Sequence, residues 1–163
     1  QENGLTGLAE PSAGSGAEAE TEPEPEDDPR FAVADEAYAR GDFATAISEY
    51  ETLLAQTPAD AEVAERLAAT KLYARTSTAD LQVARKNAAD APDDVDAQLL
   101  VADLDISGGH VEDAFIRLIE LIKRVDQDDR DRVREHLLEL FTVVGLTDQR
   151  VAQARRSLAA ALF

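Results

Sequence analysis

The sequence predicts an all-α repeat fold, a right-handed stack of about three helical hairpins followed by a C-terminal pair of helices that caps it. From Arg30 onward apolar residues recur with the period of an α-helix. No stretch has the alternating, β-branched pattern of a strand. Small residues and prolines also return at multiples of 34 residues, as expected of a repeat protein. Breaks in the pattern delimit eight predicted helices, at 30–40, 43–56, 60–75, 78–90, 94–107, 111–125, 128–144 and 147–161.

The segment before the first helix differs in composition from the rest of the chain. Residues 1–29 contain nine acidic side chains, no basic one and four prolines. Such a segment repels itself and has little to bury, which predicts disorder. We therefore divide the chain into an acidic linker or tail, 1–29, and a helical repeat domain, 30–163. The tail is interpreted as a solvated linker, and an acidic arm that contacts a basic partner is the alternative.

Charge and composition disfavour several functions. The formal net charge is −18, and residues 30–163 alone carry 25 acidic and 16 basic side chains. This field repels phosphate groups, so we expect neither nucleic acid nor an anionic membrane as a partner. The absence of cysteine excludes disulfides and thiol chemistry and is compatible with the cytoplasm, where we place the protein. No apolar run approaches the roughly 20 residues of a membrane helix.

The 34-residue period sets the predicted boundaries between helices. Gly41 and Gly109, 68 residues apart, supply turns with positive φ, whereas Pro58 and Pro92, 34 residues apart, end the helices before them. Small side chains at recurring positions let helices approach closely. The alanines that share the period are Ala34, Ala68 and Ala102, and Ala46 with Ala114.

Three copies of the repeat follow one another. The segment Phe31–Pro58 resembles a tetratricopeptide repeat, two antiparallel helices of 34 residues in all. The second copy, 61–92, lacks the turn glycine and has Asp80 where a small residue is expected, so its second helix should be loose or start late. Ser77 together with Asp80 resembles a capping box for that helix. The third copy, 95–126, recovers the pattern, and the last two helices should cap the stack.

Two segments resemble one particular family of tetratricopeptide proteins. Val95–Phe115 and Arg130–Phe163 are similar to the thioredoxin-fused tetratricopeptide co-chaperones, the YbbN or chaperedoxin family, in their actinobacterial form. The C-terminal match is carried by Leu137, Leu138, Leu140, Phe141, Gly145, Val151, Ala154, Arg155, Arg156, Leu158, Ala159 and Phe163.

The resemblance implies a role in protein folding. Members of that family join a thioredoxin-like domain through a linker to a helical repeat domain, hold client proteins in solution and pass them to a chaperonin. It implies that residues 1–29 are this linker and that the thioredoxin-like domain lies outside this chain. The expected partners are unfolded clients or a chaperonin. The chain has no Cys-x-x-Cys motif, so the family's redox chemistry is not expected of these residues.

Two surfaces are predicted to bind a partner. The first helices of stacked repeats line a concave groove, and no cluster of Lys, Arg and Asn suited to a carboxylate appears there. The groove should therefore suit apolar or basic peptide segments. An alternative is that the apolar members pack against neighbouring helices. The predicted groove residues are Phe31, Asp35, Tyr38, Glu65, Ala69, Leu72, Tyr73, Leu99, Asp103 and Ile106.

The last helix is the second predicted surface. Val151, Ala154, Leu158 and Leu162 form one apolar stripe, in the only basic stretch of an acidic protein. This helix either caps the preceding pair of helices or docks on a chaperonin. The two roles are compatible if only its final residues protrude. The predicted docking residues are Arg150, Arg155, Arg156, Leu162 and Phe163.

Catalytic and metal-binding patterns are missing from the sequence. His110 and His136, the only histidines, lie in different repeats, and His136 is expected at a helix edge. The acidic run 126–131 lacks the Gly and Glu of a calcium loop and is interpreted as a solvated turn. We predict a non-enzymatic interaction module without cofactor or metal. A passive adaptor for a short peptide is the alternative, and an accessory domain of an enzyme stays open as a third.

Overall fold

The computed structural model describes residues 27–163, which form eight α-helices after a short 3-10 turn at Pro29–Phe31. The predicted boundaries of these helices agree with the observed ones to within three residues. The predicted linker lies almost wholly outside the described residues. The helices are α1 (Ala32–Ala39), α2 (Phe43–Gln56), α3 (Ala61–Thr76), α4 (Leu81–Asp90), α5 (Val95–Ser107), α6 (Val111–Ile122), α7 (Gln127–Val144) and α8 (Gln149–Leu162).

Aspartate side chains start most of these helices. Each accepts a hydrogen bond from a backbone N–H in the first turn, which otherwise has no partner, and its charge complements the helix dipole. The expected capping box at Ser77 is wrong, because Ser77 ends α3 and Asp80 itself caps α4. The capping residues are Asp42 (α2), Asp60 (α3), Asp80 (α4), Asp94 (α5), Asp126 (α7) and Asp148 (α8).

The recurring alanines lie where helices cross. All five are buried, with at most 4% of the residue exposed. The α1–α2 and α5–α6 hairpins each turn at a glycine with positive φ, 77° at Gly41 and 82° at Gly109. The short side chains allow the backbones to approach, and the glycines reverse the chain without strain. The structure confirms the tetratricopeptide-like stack.

The second repeat departs from this pattern, as its sequence predicts. Helix α4 starts late and has only ten residues, and its main neighbour is α5. Two polar contacts attach it there. Arg85 Nη2 lies 2.6 Å from a carboxylate oxygen of Asp105, which is only 2% exposed, and the Gln98 amide donates to the Ala88 carbonyl at 2.9 Å. The two helices of the second repeat therefore do not form a close hairpin. Helix α4 packs mainly against α5, the first helix of the third repeat.

Helix α3 joins the two main parts of the hydrophobic core. Its N-terminal half contributes Val63 and Leu67 to the cluster formed with α1 and α2. Farther along, Leu72 belongs to the larger cluster built from α5 to α8. In that cluster Phe115 and Phe141 meet edge to face with ring centroids 4.9 Å apart. One helix thus contributes to both clusters of the core.

The last two helices attach to different parts of the stack. Helix α7 packs against α3, α5 and α6, whereas α8 packs against α6. Gly145, with φ 112°, separates them in a conformation that other residues rarely adopt. Among the described helices, none is both long and apolar enough to cross a membrane.

Candidate functional site

The structure divides the predicted groove into an open and a closed half. Five predicted residues keep accessible surface, namely Asp35, Tyr38, Glu65, Ala69 and Tyr73. Five others lie in the core with at most 8% exposed, which corrects their assignment to the lining. These buried residues are Phe31, Leu72, Leu99, Asp103 and Ile106.

The closed half results from the position of α7. In a regular stack this helix would follow α5 along the array, yet here it also contacts α3 directly. It therefore covers the part of the face where α3 and α5 meet. Val133, Leu137, Leu140 and Phe141 of α7 are fully buried in the same cluster as Leu72. The concave face is occupied by the protein's own helix at this end.

Buried ionic groups fasten α7 in place. Asp103, only 1% exposed, lies on α5 and accepts from Arg75 Nε of α3 at 2.7 Å. Its other carboxylate oxygen lies 2.7 Å from His136 Nε2 of α7, and Arg75 also pairs with Glu139 of α7 at 2.8 Å. We call these four residues the ion-pair network. It joins three helices at one point, and His136 is half-buried there, with 14% of its side chain exposed.

A cavity of about 510 Å³ opens beside the ion-pair network. Its walls also include Asp96 and Arg132, which form an exposed ion pair. The acidic and basic groups around it are largely paired with one another. The cavity therefore offers little unpaired charge to a ligand, and we assign the network a structural role.

The open half carries a cluster of three aromatic rings, two of them exposed and one half-buried. Tyr38 of α1, Phe43 at the start of α2 and Tyr73 of α3 contact one another, with ring centroids 5.2 to 5.7 Å apart. Tyr38 is 40% exposed and Tyr73 48%. We call these three residues the aromatic cluster. Two of them were predicted for the groove, whereas Phe43 was recognised only as part of the turn after Gly41.

Asp35 is engaged by neighbours next to this cluster. Its carboxylate accepts from the Tyr50 hydroxyl at 2.7 Å and lies 3.3 Å from Arg66 Nη1. Burial and the adjacent Asp35 carboxylate raise the pKa of Tyr50. Asp35 therefore links α1, α2 and α3, and it is less available to a partner than the sequence suggests.

The C-terminal helix packs its apolar stripe and leaves its end exposed. Val151, Ala154 and Leu158 are buried against the large cluster, and Leu162 is partly buried. Phe163 is fully exposed. Of the predicted basic docking residues, Arg150 pairs with Asp148, Arg155 lies 5.9 Å from the centroid of the Phe141 ring, and Arg156 is exposed.

A second open surface lies between α6 and α8. A groove of about 400 Å³ runs there, with an apolar floor that includes Ile119 and Ala154. Ile116, which is 60% exposed, stands on its edge. Glu112 and Arg150 also line it, so its rim carries both charges. No pattern in the sequence indicates this groove, because it depends on how α8 lies across α6.

The acidic run 126–131, interpreted from the sequence as a solvated turn, instead forms the N-cap and first turns of α7. The Asp126 carboxylate accepts from the backbone N–H of Asp129 at 3.1 Å and thereby caps the helix. Over residues 27–163 no group of three or more His, Asp or Glu side chains is placed to hold a metal ion. The run is therefore accounted for by helix capping.

Comparison with known families agrees with this architecture. The tetratricopeptide repeat family matches residues 74–163, more than half of the chain. The chain belongs to the tetratricopeptide repeat family. The match begins near the end of α3 and covers the third repeat and the last two helices. The first repeat, whose sequence resembles the family closely, lies outside the matched segment and forms the same kind of hairpin.

Related proteins occur in mycobacteria. An uncharacterised protein of Mycobacterium bovis and two of Mycobacterium tuberculosis are each 35% identical to this chain over 136 residues. The matched segment covers 83% of this chain but only 44% of each relative, so the chain spans less than half their length. No solved structure matches. Tetratricopeptide repeats mediate protein–protein interactions, and this is the function class to which the domain belongs.

Proposed function

We propose that this tetratricopeptide domain is the client-binding part of a thioredoxin-fused holdase co-chaperone. The observation that carries the proposal is the aromatic cluster, three contacting rings at the open end of the groove, of which Tyr38 and Tyr73 are exposed. Rings of this kind bury a large area at low entropic cost and suit apolar segments of varied sequence. Non-native proteins expose such segments.

The relatives are compatible with a longer parent protein. More than half of each mycobacterial relative lies outside the matched segment. That length has room for a thioredoxin-like domain, which the sequence resemblance leads us to propose. The domain would act in the cytoplasm and deliver its clients to a chaperonin, and Phe163 is a candidate chaperonin contact because it is fully exposed.

Light scattering of a heat-aggregating client tests this proposal. Wild-type protein should suppress aggregation at near-stoichiometric amounts. Replacing Tyr38 and Tyr73 by Ser should remove most of the suppression, because it deletes the exposed rings. The matched control replaces Leu81 and Val83, which are 39% and 56% exposed on α4, by Ser. Suppression that is absent in wild type, or equally weakened by both double variants, would contradict the proposal.

A passive adaptor is the second candidate. The groove between α6 and α8 favours it, because a bounded cleft with an apolar floor suits one short peptide better than many unrelated clients. An adaptor leaves client aggregation unchanged and binds one partner specifically. Replacing Ile116 by Asp should abolish that binding while the aromatic cluster remains intact.

A further inference from the structure

Within residues 27–163, the faces of the aromatic cluster have no cationic partner. Across residues 27–163, arginines lie over the Phe31 and Phe141 rings, with Arg66 only 4.1 Å from the Phe31 centroid. In the same part of the chain no guanidinium or ammonium lies over the rings of Tyr38, Phe43 or Tyr73. The face of an aromatic ring carries the partial negative charge of the ring quadrupole, which attracts cations.

The net charge of the domain also favours a cation. Residues 30–163 carry nine more acidic than basic side chains. Asp42 directly precedes Phe43 and is exposed. Hydrogen bonds from the Thr45 side chain and backbone lower the pKa of Asp42, so its carboxylate is charged at neutral pH. A basic segment approaching this end of the protein thus meets attraction at long range and ring faces at contact.

We propose that the aromatic cluster binds arginine or lysine side chains of client segments by cation–π contact. The domain then prefers apolar segments that carry basic residues over acidic or neutral segments of equal hydrophobicity. This inference rests on the proposed function only in taking the aromatic cluster as the client-binding surface. It adds a chemical preference that apolar contact alone does not provide.

Two pairs of substitutions separate the ring faces from apolar area. Tyr38 and Tyr73 replaced by Leu keep apolar surface but lose the quadrupole, whereas replacement by Phe keeps the rings and removes the hydroxyls. The probes are two fluorescent peptides that alternate Leu with either Arg or citrulline, which is the uncharged isostere. We expect wild type and the Phe variant to bind the Arg peptide similarly, and the Leu variant to bind it about tenfold more weakly. Binding of the citrulline peptide should change by less than about threefold among all three proteins.

This comparison also controls for the acidic segment 1–29, which attracts basic peptides in every variant alike. A Leu variant that binds the Arg peptide as tightly as wild type would overturn the inference. Aggregation suppression by the same Leu variant separates the two proposals, since apolar binding survives in it. If wild type suppresses aggregation but does not distinguish Arg from citrulline, the cationic preference fails and the holdase proposal stands.

Ring-proton NMR of the wild-type chain gives a measurement that does not depend on how the variants fold. The Tyr38 and Tyr73 ring signals should shift when the Arg peptide is added and move much less with the citrulline peptide. Signals that respond equally to both peptides, or stay unchanged while resonances of residues 1–29 move, would also overturn it.

Discussion

Removing the Asp103 carboxylate should release α7 from the closed half of the groove. In Asp103→Ala, Arg75 and His136 lose the acceptor that each contacts at 2.7 Å. Arg75 keeps Glu139 and is 31% exposed, so water can reach part of its charge. Breaking a buried ion pair from one side costs about 3 to 5 kcal/mol. The partial exposure of Arg75 places this case near the lower end, at about 3 kcal/mol.

Urea denaturation followed by helical circular dichroism measures this loss. With a slope of about 1.5 kcal/mol per molar urea, a loss of about 3 kcal/mol lowers the midpoint by about 2 M. Asp96→Ala is the matched control. Asp96 lies on the same helix, and its side chain is 79% exposed in an ion pair with Arg132. Such a pair contributes about 0.5 kcal/mol. Equal shifts for the two variants would refute the view that the ion-pair network fastens α7.

Three further predictions concern the C-terminal part of the domain. Leu158→Ala should destabilise the domain by about 2 to 3 kcal/mol in the same assay, because Leu158 is 7% exposed in the core, whereas the exposed Arg156→Ala should cost less than about 0.5 kcal/mol. Gly145→Ala should cost about 1 to 3 kcal/mol, measured by thermal melting, since φ is 112° there. The Asp148 carboxyl should titrate by NMR with a pKa of about 2, and Arg150→Gln should raise that pKa toward 3.8 by removing the side-chain hydrogen bonds. Because the folded pKa is the lower one, the stability that Asp148 contributes is present above about pH 4 and is lost as the pH falls through about 2.

Each of these predictions has an outcome that contradicts it. An unchanged urea midpoint for Leu158→Ala would mean that α8 only docks a partner and is not needed for the core. A Gly145→Ala variant as stable as wild type would show that the chain can turn there with negative φ. An Asp148 pKa that Arg150→Gln leaves unchanged would assign its depression to the backbone N–H alone.

The repeat architecture could be predicted because its determinants are local in sequence. Alanines that recur every 34 residues mark helix crossings. The turn glycines and the prolines mark helix ends. The late start of α4 was predicted from Asp80. A small residue is expected at that position, whereas an aspartate favours the start of a helix. Aspartates at the other helix starts carry the same signal. Because most of the helices start at an aspartate, part of the excess negative charge stabilises the fold and is not needed to explain partner binding.

The closure of half the groove could not be predicted from the sequence. It depends on contacts between α3 and α7, whose paired residues Arg75 and Glu139 are 64 positions apart. Periodicity shows which face of a helix is apolar, but it does not show which neighbour covers that face. Leu72 and Ile106 have the same pattern whether they line a groove or pack beneath α7. The short α4 and the packing of α7 against α3 both depart from the regular stack.

The aromatic cluster could be predicted only in part, because it also depends on how the helices assemble. Tyr38 and Tyr73 lie on the first helices of successive repeats and were assigned to one face by the repeat alone. Phe43 joins them because the turn at Gly41 places the start of α2 beside that face. The cluster stays open because no helix among residues 27–163 covers this end of the groove. That could be known only from the assembled structure.

Mapping a bound client on the protein tests the central claim most directly, namely that clients bind at the open half of the groove. Amide and ring chemical shifts of the labelled chain should be recorded with and without a reduced, unfolded client. We expect the largest changes at Tyr38, Phe43 and Tyr73, and little change around Asp103 beneath α7. Changes concentrated in the groove between α6 and α8, with the aromatic cluster unaffected, would contradict the claim.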